Sequence, residues 1–197
     1  MRAKSPEKLL RAARAIKEGG VFCIEVSMTT PNALQVISEV SKELDEVVIG
    51  AGTVLDPETA RTVILAGAEY IVSPTLDVKT VETARRYDRL VAPGAFTPTE
   101  ILRAWEAGAD VVKVFPASRL GPKFISDVKA PLPQLSLMPT GGVNVENAAE
   151  FIRAGADLIC AGSALLDKEA MGRGDYSVLT KNARNLVTAV KKGREEG

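Results

Sequence analysis

Asp110-Val111-Val112-Lys113-Val114-Phe115-Pro116 is the stretch on which the fold turns. Its β-branched content and closing proline read as a buried strand of a parallel sheet, with apolar residues on both sides of one lysine. Period-2 alternation sends Val111, Lys113 and Phe115 to one face and Val112 and Val114 to the other. An ammonium among apolar neighbours is costly, and a desolvated lysine amine is suited to attack a carbonyl and form a Schiff base. The bland alternative is a strand-end lysine that snorkels to solvent or pairs with an acid.

Similar short apolar runs alternate with longer amphipathic segments along nearly the whole chain, the pattern of βαβ units. Strands are expected at 21–27, 47–49, 70–72, 90–92, 111–115, 135–138 and 158–161. Between them, Ser5-Pro6-Glu7 opens a helix that Gly19-Gly20 closes, and Leu34, Ile37, Val40 and Leu44 mark a helix over 31–44. Asp56-Pro57-Glu58 caps a helix ending near Gly67, residues 77–87 form another, and Thr97-Pro98-Thr99-Glu100 opens one ending at Gly108. A short helix is expected through Gly121-Pro122-Lys123-Phe124, another over 144–154, and a long C-terminal helix over 176–192.

Such a series forms either an open doubly wound sheet or a closed barrel. Polar residues recur at the C-terminal ends of the strands all along the chain: Glu25, Ser27, Thr53, Ser73, Lys113, Thr140 and Ser163. Only a closed barrel gathers all of those ends around one pocket, so the expectation is an α/β chain folded as a (β/α)8 TIM-type barrel. It is read as a single domain over 1–197, lacking or truncated at its first strand, because no apolar run precedes Arg2.

Composition narrows the partners. The 197 residues suit one domain, and 25 basic against 25 acidic residues leave no electrostatic footprint for nucleic acid or an anionic membrane. No apolar stretch approaches the ~20 residues of a membrane span and no leader opens the chain, which predicts a soluble, cytoplasmic protein. Cys23 and Cys160 fall in apolar strand-like runs, where thiols are usually buried, and neither has metal-ligand spacing. With no histidine, histidine triads and histidine-ligated metals are excluded, and proton transfer falls to a carboxylate, a lysine, a tyrosine or water.

Glu25 is the natural partner of Lys113, because Cys23, Glu25 and Ser27 share one face of their strand. A carboxylate facing an ammonium in a low-dielectric pocket suits general acid and base work, whereas a structural ion pair is the plainer reading. Pro139-Thr140-Gly141-Gly142-Val143-Asn144 and Ala161-Gly162-Ser163-Ala164 follow successive strands, where backbone N–H groups bind phosphate oxygens. Their glycines also serve merely to permit tight turns. Gly50-Ala51-Gly52-Thr53-Val54 reads as a third turn, where small residues admit a ligand and Thr53 offers a hydroxyl. It lacks the pattern of a nucleotide P-loop. Ser73-Pro74 and Pro93-Gly94 read first as strand stops.

Together, Ile24-Glu25-Val26, the 50–54 segment, Ser73-Pro74, Pro93-Gly94, Thr97-Pro98-Thr99-Glu100, Lys113-Val114-Phe115-Pro116-Ala117, Pro139-Thr140-Gly141-Gly142-Val143 and Gly162-Ser163 resemble, in order and spacing, the 2-keto-3-deoxy-6-phosphogluconate (KDPG) aldolases, a family that includes 4-hydroxy-2-oxoglutarate aldolases. The resemblance runs from about residue 2 into the C-terminal helix. It implies a class I aldolase on a (β/α)8 barrel, a homotrimer needing no metal or other cofactor, acting on a small keto acid, normally phosphorylated. By that resemblance Lys113 forms the Schiff base and Glu25 shuttles protons through water. Thr53 and the backbone at Pro74 hold the pyruvoyl carboxylate, Phe115 packs beside the imine, Gly141, Gly142, Gly162 and Ser163 receive the phosphate, and Thr140 counts among the substrate-binding residues. Some members carry an arginine where Thr29 stands, and the arginine that ends the family's first strand corresponds to Arg2.

Two rival readings stay open on the residues alone. One is a catalytically idle barrel acting as an assembly subunit. The other is a different phosphate-binding barrel enzyme, which keeps the glycine turns but needs no buried lysine facing a glutamate.

Overall fold

The computed structural model describes residues 6–197; Arg2 and the Ser5 cap expected above lie outside them. After α1 (Pro6–Glu18), strands and helices alternate: β1 (Cys23–Ser27), α2 (Ala33–Glu43), β2 (Val48–Gly52), α3 (Pro57–Leu65), β3 (Tyr70–Val72), α4 (Val78–Arg86) and β4 (Leu90–Ala92). β5 (Gly94–Ala95), α5 (Pro98–Glu106), β6 (Val112–Val114), α6 (Gly121–Lys129), β7 (Leu137–Pro139), α7 (Ala148–Arg153), α8 (Lys168–Arg173) and α9 (Ser177–Glu195) follow.

Every strand pair is parallel, in the orders β1-β2-β3-β4 and β5-β6-β7. Pro93 separates β4 from β5, since a proline donates nothing to the ladder. The two stretches still work as one strand: Ala92 accepts from Ser73 N on one side, and the Pro93 carbonyl accepts from Lys113 N at 2.9 Å on the other. Pro93-Gly94, read from the sequence as a stop, is therefore an interruption within a strand position. Beyond β7, Thr140 bridges in parallel to Cys160, so the expected strand at 158–161 contributes one bridge rather than a ladder. These parallel strands, wrapped by helices, make a TIM-type barrel.

The helices form where the sequence starts them. Asp56 accepts from Thr59 N at 2.6 Å, Asp77 from Thr80 N at 2.8 Å, and Thr97 with Glu100 completes a capping box ahead of Pro98. Their inner faces carry Val36, Ile37 and Val40 on α2, Ala60 and Val63 on α3, and Ile101 and Ala104 on α5, all buried against the outward-facing strand residues. Three features differ from expectation. The helix placed at 144–154 begins only at Ala148, because Asn144 and Asn147 exchange side-chain to backbone hydrogen bonds that hold 144–147 as a turn. α8 follows the Asp167 cap, which accepts from Ala170 N, and has no counterpart in the sequence reading. Cys23, expected to be buried, is exposed, standing at the first residue of β1.

A repeated device ties helices to strands. Ala107-Gly108-Ala109-Asp110 and Ala154-Gly155-Ala156-Asp157 leave α5 and α7 in the same way. Asp110 accepts from Val91 N while its own N–H reaches Val91 O, and Asp157 does the same with Leu137. Each aspartate thus pairs the entry of the next strand to the preceding one and fixes where that strand's far end emerges.

Candidate active site

The strand C-terminal ends converge as the barrel requires. Lys113, in the middle of β6, is 7% exposed and is the one charged side chain among the buried described residues. Its Nζ lies over the ring of Phe115 at 4.9 Å from the centroid, a cation–π contact that follows from their shared face. Phe115 itself is partly exposed at the rim. The Phe115–Pro116 peptide is cis.

Glu25 reaches the same interior from β1. Its Oε2 accepts from the Cys160 thiol at 4.0 Å, although residue 160 follows by 135 positions in the chain. Burial pushes the Cys160 thiol up, the Glu25 charge adds to that, and Lys113 opposes it. The thiol therefore feels both the candidate carboxylate and the candidate amine. Tyr70, at the start of β3, is raised well above the ordinary phenol range by burial first and by Glu25 second. It too looks inward.

β2 explains how these side chains fit. The 50–54 segment, expected as a turn that admits a ligand, is strand as far as Gly52, and its two glycines admit neighbouring side chains. A Cβ on Gly52 would coincide with the Glu25 carboxylate, and one on Gly50 would coincide with the Tyr70 ring. The turn begins at Thr53, which adopts φ +60, a left-handed conformation uncommon for threonine. Its Oγ1 lies 2.9 Å from Ser27 Oγ, which lies 2.9 Å from Thr29 Oγ1. Ser27 is buried and Thr29 exposed, so the three hydroxyls run from the interior to the surface.

At β3, Ser73 donates to Thr75 O at 2.7 Å, and the Pro74 carbonyl lies where a Cβ on Gly94 would fall. Gly94 is the register partner of Lys113, which brings the Pro74 backbone next to the lysine's strand. On the opposite side, Gly141 and Gly142 adopt φ +85 and +80, conformations that glycine alone takes readily. The Gly142 carbonyl accepts from Asn147 Nδ2, and the Gly141 carbonyl accepts from Ser118 N. Gly162 and Ser163, both exposed, lie two and three residues beyond the Thr140–Cys160 bridge, and the Gly162 carbonyl opens a turn that accepts from Leu165 N and Leu166 N. Thr140 is buried and donates to Met138 O. Of the twelve residues singled out from the sequence, Arg2 lies outside the described residues.

Sequence alone assigns no site role to Tyr70, Cys160 or Gly52. Alternation in Tyr70-Ile71-Val72 carried the signal for the first, since it puts the phenol on the inward face. Among the described residues, no group of three or more histidine, cysteine, aspartate and glutamate side chains converges as a metal site. No helix among them is long and apolar enough to cross a membrane. A groove of about 540 Å³ lies elsewhere, between α1 and α9, edged by Arg11, Arg14, Lys181 and Arg184, and shares no residue with the Lys113 cluster.

A parallel barrel that holds one buried lysine amine in its interior has the means for Schiff-base chemistry on a keto acid, the chemistry of the class I aldolases. Residues 1–182 match the family described as KDPG and KHG aldolase. The chain is 36% identical over 185 residues to the 2-dehydro-3-deoxy-phosphogluconate aldolase of Treponema pallidum (strain Nichols), covering 93% of this chain and 88% of that one. It superposes with a TM-score of 0.93 on a solved native KDPGal structure, at 31% identity, covering 99% of this chain and 94% of the other. It superposes with a TM-score of 0.88 on a KDPG aldolase from Legionella pneumophila, at 26% identity over 94% of this chain and 91% of that one; that enzyme was caught with pyruvate as a covalent carbinolamine. The chain belongs to the KDPG and KHG aldolase family, and it is an aldolase, a carbon–carbon lyase.

Proposed function

We propose that this protein cleaves 2-keto-3-deoxy-6-phosphogluconate to pyruvate and glyceraldehyde 3-phosphate through a Schiff base on Lys113, and that it also accepts 4-hydroxy-2-oxoglutarate, giving pyruvate and glyoxylate. The observation that carries the reading is the buried Lys113 amine above Phe115, in a barrel interior that also receives the Glu25 carboxylate.

The amine attacks the C2 carbonyl to give a carbinolamine, which loses water to become an iminium. Glu25, acting through a water, takes the proton of the C4 hydroxyl. The C3–C4 bond then breaks, its electron pair passes into the iminium, and the aldehyde leaves. The enamine that remains takes a proton at C3 from the Glu25 side, and water hydrolyses the resulting imine to release pyruvate. Thr53 and the Pro74 backbone hold the pyruvoyl carboxylate, with Thr29 at the mouth in the place of a stronger cationic grip. Phe115 shields the imine. Gly141 and Gly142, with Gly162 and Ser163, present backbone N–H groups and a hydroxyl to the phosphate, and Thr140 stands at the base of that turn. No metal or organic cofactor enters these steps. The chain works as a single domain, assembled as a homotrimer in the cytoplasm.

Incubation with pyruvate and borohydride tests the reading. The expected result is a reduced pyruvoyl adduct on Lys113 by peptide mass spectrometry, absent from Lys113→Met. An intact folded protein that forms no adduct sinks it. Comparing turnover of KDPG and 4-hydroxy-2-oxoglutarate then ranks the two substrates.

A further inference from the structure

We propose that Gly52 is a positioning residue for the reaction: its missing side chain is the berth in which the Glu25 carboxylate lies, and the Cys160 thiol holds the carboxylate there from the other side. This rests on the aldolase reading and deepens it.

β2 pairs Cys23 to Ser27 of β1 with Val48 to Gly52 in register, which sets Glu25 opposite Gly50 and Ser27 opposite Gly52. Gly50 and Gly52 lie on the inward face of β2, with Ala51, buried, on the other face. A Glu25 side chain pointing straight in from β1 would meet the side chain of an ordinary β2 residue. Instead it leans along the sheet, over Gly52, so that a Cβ there would overlap Oε1 and Cδ and lie 2.7 Å from Cγ. The overlap involves the carboxyl group itself together with the methylene that carries it, so no small rotation of a chain end relieves it.

The berth is walled. Below it, the Tyr70 ring fills the equivalent space over Gly50, the register partner of both Glu25 and Tyr70. From the last strand position, the Cys160 thiol donates to Oε2. Burial and the Glu25 charge keep both the phenol and the thiol protonated, so each faces the carboxylate as a neutral wall. The carboxylate is thus seated against the Gly52 backbone and the Cys160 thiol, and a displacement of about 1 Å in a group that must meet a reacting proton costs about a hundredfold in rate.

Two readouts separate this device from general damage. Trapping of the pyruvate imine by borohydride depends on Lys113. Exchange of the pyruvate methyl protons with deuterium, followed by NMR, depends in addition on the proton shuttle at Glu25. Gly52→Ala is expected to keep the adduct and to lose exchange by about a hundredfold. In a Glu25→Gln background, which has lost the shuttle already, Gly52→Ala is expected to lower exchange no further. If Gly52→Ala does not fold, Gly52→Ala with Glu25→Ala is expected to fold, because the overlapping side chain is gone. Cys160→Ser, which keeps a donor, is expected to exchange faster than Cys160→Ala. Full exchange in Gly52→Ala, a further loss in the Glu25→Gln background, or a double alanine variant that stays unfolded overturns the proposal. Absence of the adduct in the unaltered protein overturns the aldolase reading instead, so the two failures are distinguishable.

Discussion

Lys113 Nζ stands 4.9 Å from the centroid of the Phe115 ring, on the one strand face that points into the barrel. The ring face attracts the cationic group held over it, and such contacts contribute about 0.5–1 kcal/mol at partly exposed sites. Phe115→Ala is therefore expected to lower kcat/KM for cleavage by about twofold to fivefold. Lys113→Met removes a buried ammonium and leaves an apolar chain of similar length. It is expected to abolish turnover while stability stays about level, because the desolvation cost of the ammonium and its contact with the Phe115 ring are lost together. Urea unfolding of the two variants checks this, and a marked loss of stability in Lys113→Met contradicts the cost assigned to the buried charge.

The hydroxyl line Thr29, Ser27, Thr53 makes a separate prediction. Ser27 is buried and joins the other two at 2.9 Å each. Ser27→Ala is expected to cost about 1 kcal/mol of stability. It is also expected to raise KM for pyruvate with little change in kcat, since the line positions substrate and moves no proton. Thr53, at φ +60, contrasts Gly with Ala: Thr53→Gly relieves the left-handed backbone and is expected to be about 1 kcal/mol more stable than Thr53→Ala, with KM raised in both. Equal stability of the pair argues against strain at that residue.

Much of the frame was legible because it rests on short-range rules. The Asp56, Asp77 and Thr97 helix starts follow from side chains that reach a backbone N–H three residues on, and the inward set of β1 follows from alternation. Long-range geometry was not legible. Nothing within 50–54 says that its glycines serve Glu25 and Tyr70 from two other strands, and nothing near Cys160 names Glu25 as its neighbour. The start of α7 is not legible because Asn144 and Asn147 satisfy each other's backbone, a competition between turn and helix that apolar periodicity does not register. Pro93 misled for the opposite reason: the missing N–H is real, but its carbonyl still serves the neighbouring strand.

Tyr70 carries a pH dependence whose sign is fixed. Burial and Glu25 raise its phenol well above the ordinary value of about 10. Below that value the phenol is protonated in both folded and unfolded chains and contributes no slope. Above it the unfolded chain releases the proton while the folded chain retains it, so stability falls as pH rises, by up to about 1.4 kcal/mol per unit, until the folded group ionises. Tyr70→Phe removes this slope. Unfolding free energies measured from pH ~9 to ~11 are expected to fall more steeply for the unaltered protein than for the variant, and parallel curves count against a buried phenol.

Asp157 links the scaffold to the proposed phosphate turn. One of its oxygens, Oδ2, accepts from Lys129 Nζ at 3.0 Å and from Leu137 N at 2.9 Å, and Leu137 is fully buried. The two partners are separable by substitution. Asp157→Asn keeps a carbonyl acceptor for Leu137 N and loses the ion pair with Lys129, which is partly exposed, so it is expected to cost less than about 1 kcal/mol. Asp157→Ala strands the Leu137 N–H in the interior and is expected to cost about 1–3 kcal/mol. The same N–H begins β7, whose far end leads through Thr140 to Gly141 and Gly142 and bridges to Cys160. Loosening the entry of the strand therefore moves the turn at its exit. Asp157→Ala is expected to raise KM for KDPG more than KM for 4-hydroxy-2-oxoglutarate, because only the first presents a phosphate to that turn. An equal rise for both substrates places the damage at the lysine instead.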